Sequence, residues 1–266
     1  MRVQGVDGDR VALVTGAARG IGAATVRQLV SDGFRVVAVD WCVGERSPVG
    51  YAQATRADLA RLVDDLVDGA VLPLVGDVRD PAVLDEGVRA ALETWGRLDV
   101  AVAAAGMVAG GVPLWEDESL ALQWEINVTG VWHTAAASVP AMLAGLDPAS
   151  CRFVAVASAA GSHGLHCLAA YTTVKHAVVG LVKGLAADLV GTGVTACAVS
   201  PGSTRTAMLG ATADLYGVSP EDLADHQLLR RALAPEEVAA TIAFACSSAG
   251  AVLNGSVVAA DGGFGG

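Results

Sequence analysis

The chain has 266 residues, of which 53% are hydrophobic, and its formal net charge is −11. This length allows two domains but also suits one α/β domain with a large core. The acidic balance, with no basic run, argues against nucleic acid or an anionic membrane surface as a partner. The polar first ten residues and the interrupted apolar stretches predict neither a signal peptide nor a membrane-spanning helix. Five scattered cysteines without ligand spacing predict reduced thiols, no metal site and a cytoplasmic location.

A glycine-rich turn follows the first apolar run, residues 11–14. It reads Thr15-Gly-Ala-Ala-Arg-Gly-Ile-Gly22 and leads into a helical pattern through Leu29. In the order strand, glycine turn, helix, the backbone can approach a pyrophosphate and the helix start offers it free N–H groups. The motif therefore predicts a dinucleotide-binding turn, with a plain helix-start turn as the alternative.

An acidic residue, Asp40, ends the second predicted strand, residues 34–40. Its carboxylate is placed to bind a ribose 2′-hydroxyl and would repel a 2′-phosphate, so it predicts NAD rather than NADP. Arg19 in the glycine turn instead favours NADP, because its positive charge would attract the 2′-phosphate. We give Asp40 more weight because its carboxylate would meet the phosphate directly; an ordinary turn or helix-capping Asp is the alternative.

The next segment, residues 41–55, contains Gly and Pro but has no usable period. A helix is predicted to start near Thr55, with Asp58 completing an approximate capping box. A strand-to-helix connection of this length is often functional, and this one leaves from the edge where a dinucleotide would bind. We therefore expect an insertion near the cofactor. The alternative is a surface loop with no functional role.

Five further strands are predicted, separated by helical patterns. Their order predicts one doubly wound parallel sheet of seven strands, a single α/β Rossmann domain spanning residues 1–266. Ligands of such sheets bind at the carboxyl ends of the strands, where most of the candidate residues fall. The further strands are residues 71–75, 98–106, 152–157 and 194–200, and a seventh strand with its tail at 255–263.

Three downstream features each allow two interpretations. Asp77, after the third strand, is placed for an adenine amino group or is an ordinary turn residue. Asn127 lies inside the helical stretch 119–145, where it is either buried at a kink or solvated. Residues 207–234 carry apolar side chains across the strand ends, which predicts a substrate lid or an ordinary helical hairpin.

Tyr171 and Lys175 lie four residues apart in the predicted helix 168–190, so they share a face. A phenol titrates near ~10, and an adjacent ammonium favours the phenolate and lowers its pKa. Ser158 follows the fifth strand, where a hydroxyl can hold a carbonyl or alcohol oxygen. Together these residues predict proton transfer at a substrate oxygen. The alternative for Tyr171 and Lys175 is that they are surface residues that happen to lie four positions apart.

With these motifs in place, the chain resembles the classical short-chain dehydrogenase/reductase family over about residues 8–263. The resemblance implies that Tyr171 is the general acid/base, that Ser158 positions the substrate oxygen, and that Lys175 lowers the phenol pKa and binds the nicotinamide ribose. It also implies that Asn127 holds a relay water and that Thr206 contacts the nicotinamide carboxamide. The shared motifs are Thr15-Gly-x-x-x-Gly-Ile-Gly22, Asp77-Val78, Asn127, Ser158, Tyr171-x-x-x-Lys175, Pro201-Gly202 and Asp261-Gly-Gly263.

One departure concerns the end of strand four, where the family usually has Asn-Ala-Gly and this chain has Ala104-Ala105-Gly106. Because that Asn braces the central sheet, its loss puts local rigidity in question. The long 41–55 segment and residues 127–134 are similar to the mycofactocin-associated, carveol-dehydrogenase-like subgroup. That resemblance implies a tightly held NAD beneath the insertion, recycled by a redox peptide, and the family implies a homotetramer.

The sequence thus predicts an NAD-dependent enzyme that interconverts a small hydrophobic secondary alcohol, such as a terpenoid, and a ketone. The alternatives are an NADPH-dependent reductase of oxo-acyl thioesters and a catalytically idle NAD-binding sensor. The expected catalytic residues are Asn127, Ser158, Tyr171 and Lys175, and the expected substrate contacts are Ser158, His163, Tyr171 and Met208. The expected cofactor contacts are Gly16, Arg19, Gly20, Ile21, Gly22, Asp40, Trp41, Asp77, Val78, Ala104, Ala105, Gly106, Tyr171, Lys175, Pro201, Gly202, Thr204 and Thr206.

Overall fold

A computed structural model describes residues 10–265, which form one seven-stranded sheet. All neighbouring strands are parallel, in the order β3-β2-β1-β4-β5-β6-β7. The predicted doubly wound α/β sheet is therefore confirmed, and the winding reverses between β1 and β4. The strands are β1 (Val11–Thr15), β2 (Arg35–Asp40), β3 (Val71–Val75), β4 (Val100–Ala103), β5 (Arg152–Val156), β6 (Thr195–Pro201) and β7 (Val257–Ala260).

Helices cover both faces of the sheet. They are α1 (Gly20–Ser31), α2 (Arg56–Asp64), α3 (Pro81–Trp95), α4 (Leu120–Trp124), α5 (Gly130–Ala144), α6 (Ala169–Asp188), α7 (Ala207–Tyr216), α8 (Pro220–Ala224) and α9 (Pro235–Cys246). Within residues 10–265, no helix combines the length and the apolarity that crossing a membrane requires.

Neighbouring residues of one strand serve two separate cores, because side chains alternate across a sheet. Phe153 of β5 packs in the core beneath α3, α5 and α6. The next residue, Val154, packs in the core beneath α1, α2 and α9. Strands buried on both faces explain why the sequence shows continuous apolar runs rather than alternation.

Local signals in the sequence set several element boundaries. Thr55 and Asp58 form the predicted capping box at the start of α2, and Asp80 caps α3 before a proline at its first position. Pro73 is tolerated in β3 because that strand lies at the edge of the sheet, where a missing N–H costs little.

Candidate functional site

A cavity of about 870 Å³ lies at the carboxyl ends of the strands. Its walls come from the glycine turn, from the residues that follow β2 to β6, and from α7 and α8. Every residue predicted to contact a cofactor lines this cavity: Gly16, Arg19, Gly20, Ile21, Gly22, Asp40, Trp41, Asp77, Val78, Ala104, Ala105, Gly106, Tyr171, Lys175, Pro201, Gly202, Thr204 and Thr206. These residues, predicted from their places at the strand ends, therefore lie around one cavity.

The glycine turn needs its glycines for close packing. Gly16 has φ +65°, and a Cβ there would lie 2.8 Å from the backbone of Ala105. At Gly22, a Cβ would lie 2.0 Å from the Gly16 carbonyl oxygen. The turn consequently presses against the end of β4 and leaves the first turn of α1 lining the cavity, where helix N–H groups favour an anion.

Asp40 is buried at the end of β2, and both of its carboxylate oxygens are oriented by the backbone. Oδ2 accepts a hydrogen bond from the N–H of Ala18, and Oδ1 accepts one from the N–H of Cys42, each at 3.0 Å. The carboxylate thus ties the glycine turn to the start of the insertion and places a negative charge at the cavity wall.

Trp41 and Asp77 line the neighbouring part of the cavity and share one partner, Arg79. The guanidinium lies 4.8 Å from the Trp41 ring centroid and donates to Asp77 Oδ2 from Nη2 at 2.6 Å. Both the charge pair and the cation–π contact hold these two side chains in place. Asp77 therefore lines the cavity and also forms an ion pair with Arg79. The sequence did not reveal this ion pair.

The insertion, residues 41–55, crosses from one side of the cavity to the other. On the glycine-turn side, Arg19 donates to the Ala52 carbonyl at 2.6 Å and to Gln53 Oε1 at 2.9 Å. On the other side, Val49 packs with Met107 beyond β4. Val49, Gln53 and Ala54 line the cavity, and none of the three was predicted.

Tyr51 extends the insertion toward the catalytic side. Its hydroxyl accepts a hydrogen bond from the N–H of Val108 at 3.4 Å. Its ring packs against the apolar cluster that contains Val108, Leu168 and Tyr171. The insertion therefore contacts both the glycine turn and the surroundings of the predicted catalytic tyrosine.

Thr15 supports the end of β4, where the family's usual Asn is replaced by Ala104. Its hydroxyl oxygen accepts hydrogen bonds from the N–H groups of Ala104 at 3.1 Å and Ala105 at 3.2 Å. This contact braces the same backbone from the neighbouring strand β1.

Asn127 is fully buried in a π-helical turn, Glu125–Thr129, between α4 and α5. Its Oδ1 accepts from the N–H of Met107, and its Nδ2 donates to the carbonyls of Met107 and Gln123. The structure thus supports the buried, kinked interpretation over the solvated one. Asn127 does not belong to the cavity wall, but its Oδ1 lies close behind Gly106, which does.

Tyr171 and Lys175 lie one turn apart on α6, and both are buried. The Lys175 ammonium lies 5.7 Å from the Tyr171 ring centroid and donates to the Val156 carbonyl at 3.0 Å. The Tyr171 hydroxyl donates to Met208 Sδ at 3.8 Å. Ser158 lines the same cavity, and its hydroxyl oxygen accepts from the N–H of Ala160.

The predicted lowering of the Tyr171 pKa is wrong for the protein chain by itself. Burial raises the pKa of Tyr171 to about 12, although the neighbouring Ser158 hydroxyl acts to lower it. Burial likewise lowers the pKa of Lys175 to about 8. Desolvation disfavours the charged form of each group, so the chain alone holds a neutral phenol beside an ammonium that is easier to deprotonate than usual.

Of the two further residues predicted to contact substrate, one lines the cavity and one does not. Met208 lines the cavity as predicted, but His163 does not; the His163 ring contacts the Phe264 ring. Nothing in the spacing of His163 indicated this partner, which lies about a hundred residues further along the chain. Part of the remaining wall comes from the predicted lid segment 207–234, namely Thr212, Tyr216, Val218, Asp222, Leu223 and His226. The other wall residues in this region were not predicted: Leu165, His166, Leu168, Phe264 and Gly265.

No group of three His, Cys, Asp or Glu side chains within residues 10–265 is arranged to hold a metal ion. The cavity carries the phenol of Tyr171, the ammonium of Lys175 and the hydroxyl of Ser158. Beside a glycine turn and an oriented carboxylate, these groups define an oxidoreductase with a dinucleotide-type site.

Comparison with known proteins identifies the family. The family model described as enoyl-(acyl carrier protein) reductase matches residues 16–265. The chain belongs to the short-chain dehydrogenase/reductase family, in agreement with the resemblance deduced from its motifs.

Individual relatives place it near the carveol dehydrogenases. The (−)-trans-carveol dehydrogenase of Rhodococcus erythropolis is 37% identical over 215 residues, covering 78% of this chain and 74% of that protein. An uncharacterised NAD-dependent oxidoreductase of Mycobacterium tuberculosis is 38% identical over 208 residues, covering 75% and 73%. The crystal structure of carveol dehydrogenase from Mycobacterium avium in complex with NAD has a TM-score of 0.88 at 29% identity, covering 97% of this chain and 98% of that one.

Proposed function

We propose that this protein is an NAD-dependent dehydrogenase that interconverts a hydrophobic secondary alcohol and its ketone, with Tyr171 as the general acid/base. One observation carries the proposal. The buried phenol of Tyr171, the ammonium of Lys175 and the hydroxyl of Ser158 share one cavity with the glycine turn and Asp40.

NAD fits this cavity better than NADP. The first turn of α1 suits a pyrophosphate, and the oriented carboxylate of Asp40 suits a ribose hydroxyl but not a 2′-phosphate. The guanidinium of Arg19, which could attract that phosphate, donates instead to Ala52 and Gln53. Two of the similar proteins are described as NAD-dependent or as complexed with NAD. When bound, NAD supplies a cationic nicotinamide ring that accepts a hydride.

The chain's own residues handle the proton. During alcohol oxidation, the carbinol C–H bond breaks as hydride leaves the carbon, and the O–H proton passes to the Tyr171 phenolate. In ketone reduction the neutral phenol donates that proton back. Ser158 holds the substrate oxygen beside the phenol, so that the oxygen is oriented before the proton moves.

Lys175 and Asn127 assist the proton transfer by the Tyr171 phenol. The Lys175 ammonium, held by the Val156 carbonyl, provides the positive charge that stabilises a phenolate. A Cβ on Gly106 would lie 2.8 Å from Asn127 Oδ1 and 3.7 Å from Lys175 Nζ. This proximity supports a role for the π-helical turn in carrying protons between the ammonium and solvent.

We further propose that NAD is held tightly. The insertion spans the cavity between Arg19 and the Met107–Val108 segment, so that leaving requires one of these attachments to open. Enclosure of this kind suits an enzyme whose bound cofactor is recycled in place by a separate electron acceptor, and we propose a redox peptide for that role.

The substrate end supports a small apolar alcohol or ketone, of which a terpenoid is one example. Met208, Leu165, Leu168 and Leu223 line it, and helices α7 and α8 contribute its outer wall. We propose that residues 207–234 act as a lid over this end, because they cross the strand ends as a separate helical pair.

Two alternative functions would require different features of the cavity. A reductase of oxo-acyl thioesters would use NADPH, which the position of Asp40 disfavours. An idle NAD-binding sensor would have no use for Ser158 in one cavity with the buried Tyr171 and Lys175.

We also propose a cytoplasmic homotetramer. All five cysteines, which lie in the described part of the chain, are free thiols, as a reducing compartment favours. Large apolar side chains such as Trp115 and Trp132 are 80% and 64% exposed, which favours burial against further copies of the chain. Light scattering coupled to size-exclusion chromatography tests the assembly.

The test of the function begins with the purified protein and no added cofactor. Heat denaturation should release NAD(H), and the intact protein should oxidise apolar secondary alcohols with a dye acceptor faster than with external NAD. Free exchange with external NAD would remove the tight-binding part of the proposal. Binding of NAD without turnover of any alcohol or ketone would favour the sensor.

A further inference from the structure

The Asp261-Gly-Gly263 motif reverses the chain after β7. Asp261 Oδ1 accepts a hydrogen bond from the N–H of Gly263 at 2.9 Å. Gly262 and Gly263 have φ values of +63° and +77°, a region in which other residues are strained. The two glycines thus turn residues 262–265 back toward the cavity instead of away from the sheet.

Residues 262–265 are then fixed by backbone pairing with the segment after α8. The N–H groups of Leu228 and Leu229 donate to the carbonyls of Gly263 and Gly262 at 3.0 and 3.1 Å. The N–H of Gly265 donates to the His226 carbonyl at 3.1 Å, and Gln227 pairs with Phe264 in an antiparallel bridge. This pairing holds the Phe264 side chain at the outer part of the cavity, which it lines.

Two imidazoles flank the Phe264 ring. The His163 ring lies 5.8 Å from it and the His226 ring 6.4 Å, both tilted, within the range of favourable aromatic pairs. The whole chain has only four phenylalanines and five histidines. Phe264 and His226 both line the cavity, and His163 contacts the Phe264 ring without lining it.

We propose that Phe264 is a specificity-determining residue that contacts the part of the substrate remote from the reacting carbon. The Tyr171 hydroxyl contacts Met208 Sδ, whereas Phe264 belongs to a different part of the chain and lines the same cavity. The phenyl ring therefore acts on substrates long enough to extend from Tyr171 to residues 262–265. This inference rests on the proposed dehydrogenase function and assigns a role to the Asp261-Gly-Gly263 turn.

The test compares two secondary alcohols that differ in the length of their apolar tail, isopropyl alcohol and sec-octyl alcohol. Phe264→Ala should lower kcat/KM for the long alcohol at least about tenfold, because a large apolar contact is lost, and leave the short alcohol unchanged. Phe264→Leu keeps apolar bulk and should restore most of the loss. Phe244→Ala on α9, where the side chain is half exposed and outside the cavity wall, is the matched control.

Equal effects of Phe264→Ala on both alcohols, or no effect on either, would overturn the assignment. If the wild-type protein oxidises neither alcohol, the proposed function fails, and the role of Phe264 is decided by calorimetric titration of the same two alcohols. Weaker binding of the long alcohol alone in Phe264→Ala supports it, and unchanged binding of the long alcohol refutes it.

Discussion

Arg19→Met should speed the release of the bound nucleotide, because it removes the charged group that joins the glycine turn to the insertion. The Arg19 guanidinium donates to Ala52 and Gln53 across this junction, and methionine keeps an apolar stem without donors. Partly solvated bonds of this kind contribute about 0.5–1 kcal/mol each. Losing both hydrogen bonds destabilises the attachment of the insertion to the glycine turn by about 1–2 kcal/mol. This corresponds to nucleotide release that is about 5- to 30-fold faster.

The release rate can be measured by mixing NADH-loaded protein with excess NAD and following the loss of bound NADH fluorescence. Arg89→Met on α3, an exposed arginine that pairs with Glu93, controls for the loss of a surface charge. Gln53→Leu removes one of the two Arg19 bonds, together with the bond from Gln53 Nε2 to the Tyr51 carbonyl, and should give a smaller increase. Wild-type release from Arg19→Met would refute the reasoning, and an increase in Arg19→Met alone would mean that Arg19 acts on the nucleotide directly.

Three further predictions concern specificity, proton transfer and stability. Asp40→Ser should shift the ratio of kcat/KM for NAD over NADP toward NADP by at least about tenfold; an unchanged ratio would place the ribose elsewhere. Because burial raises the pKa of Tyr171 to about 12, alcohol oxidation, which needs the phenolate, should keep rising with pH from about pH 7 to about pH 10. Ketone reduction should not rise over the same range, and a flat oxidation profile would contradict this assignment. Asn127→Ala leaves backbone groups of Met107 and Gln123 unpaired, at about 2–4 kcal/mol, and calorimetry should show unfolding several degrees lower.

The parts of the fold and site that the sequence predicts are those set by local rules. The capping box at Thr55, the proline start of α3 and the glycine turn each depend on neighbours within a few residues. Parallel strands then bring their carboxyl ends together wherever the chain winds in this order. This is why Asp40 and Ser158, more than a hundred residues apart, are correctly placed in one cavity.

The features of the fold and site that the sequence does not predict depend on long-range partners or on solvation. The contacts of Arg19 with the insertion, and of Phe264 with His163, follow from how loops fold over the sheet. The spacing of Tyr171 and Lys175 reveals their shared face but not their burial, which reverses the expected direction of the phenol pKa. A charge pair argued from spacing alone therefore misses the desolvation that dominates at a buried site.

The Tyr171 hydroxyl, which we propose transfers the substrate proton, can be removed without loss of the ring. Tyr171→Phe removes that oxygen and keeps the ring that packs in the apolar cluster. With nucleotide binding and the thermal midpoint unchanged, turnover of a secondary alcohol should fall by about 10²- to 10⁴-fold. Turnover of Tyr171→Phe at the wild-type rate would show that another group transfers the proton.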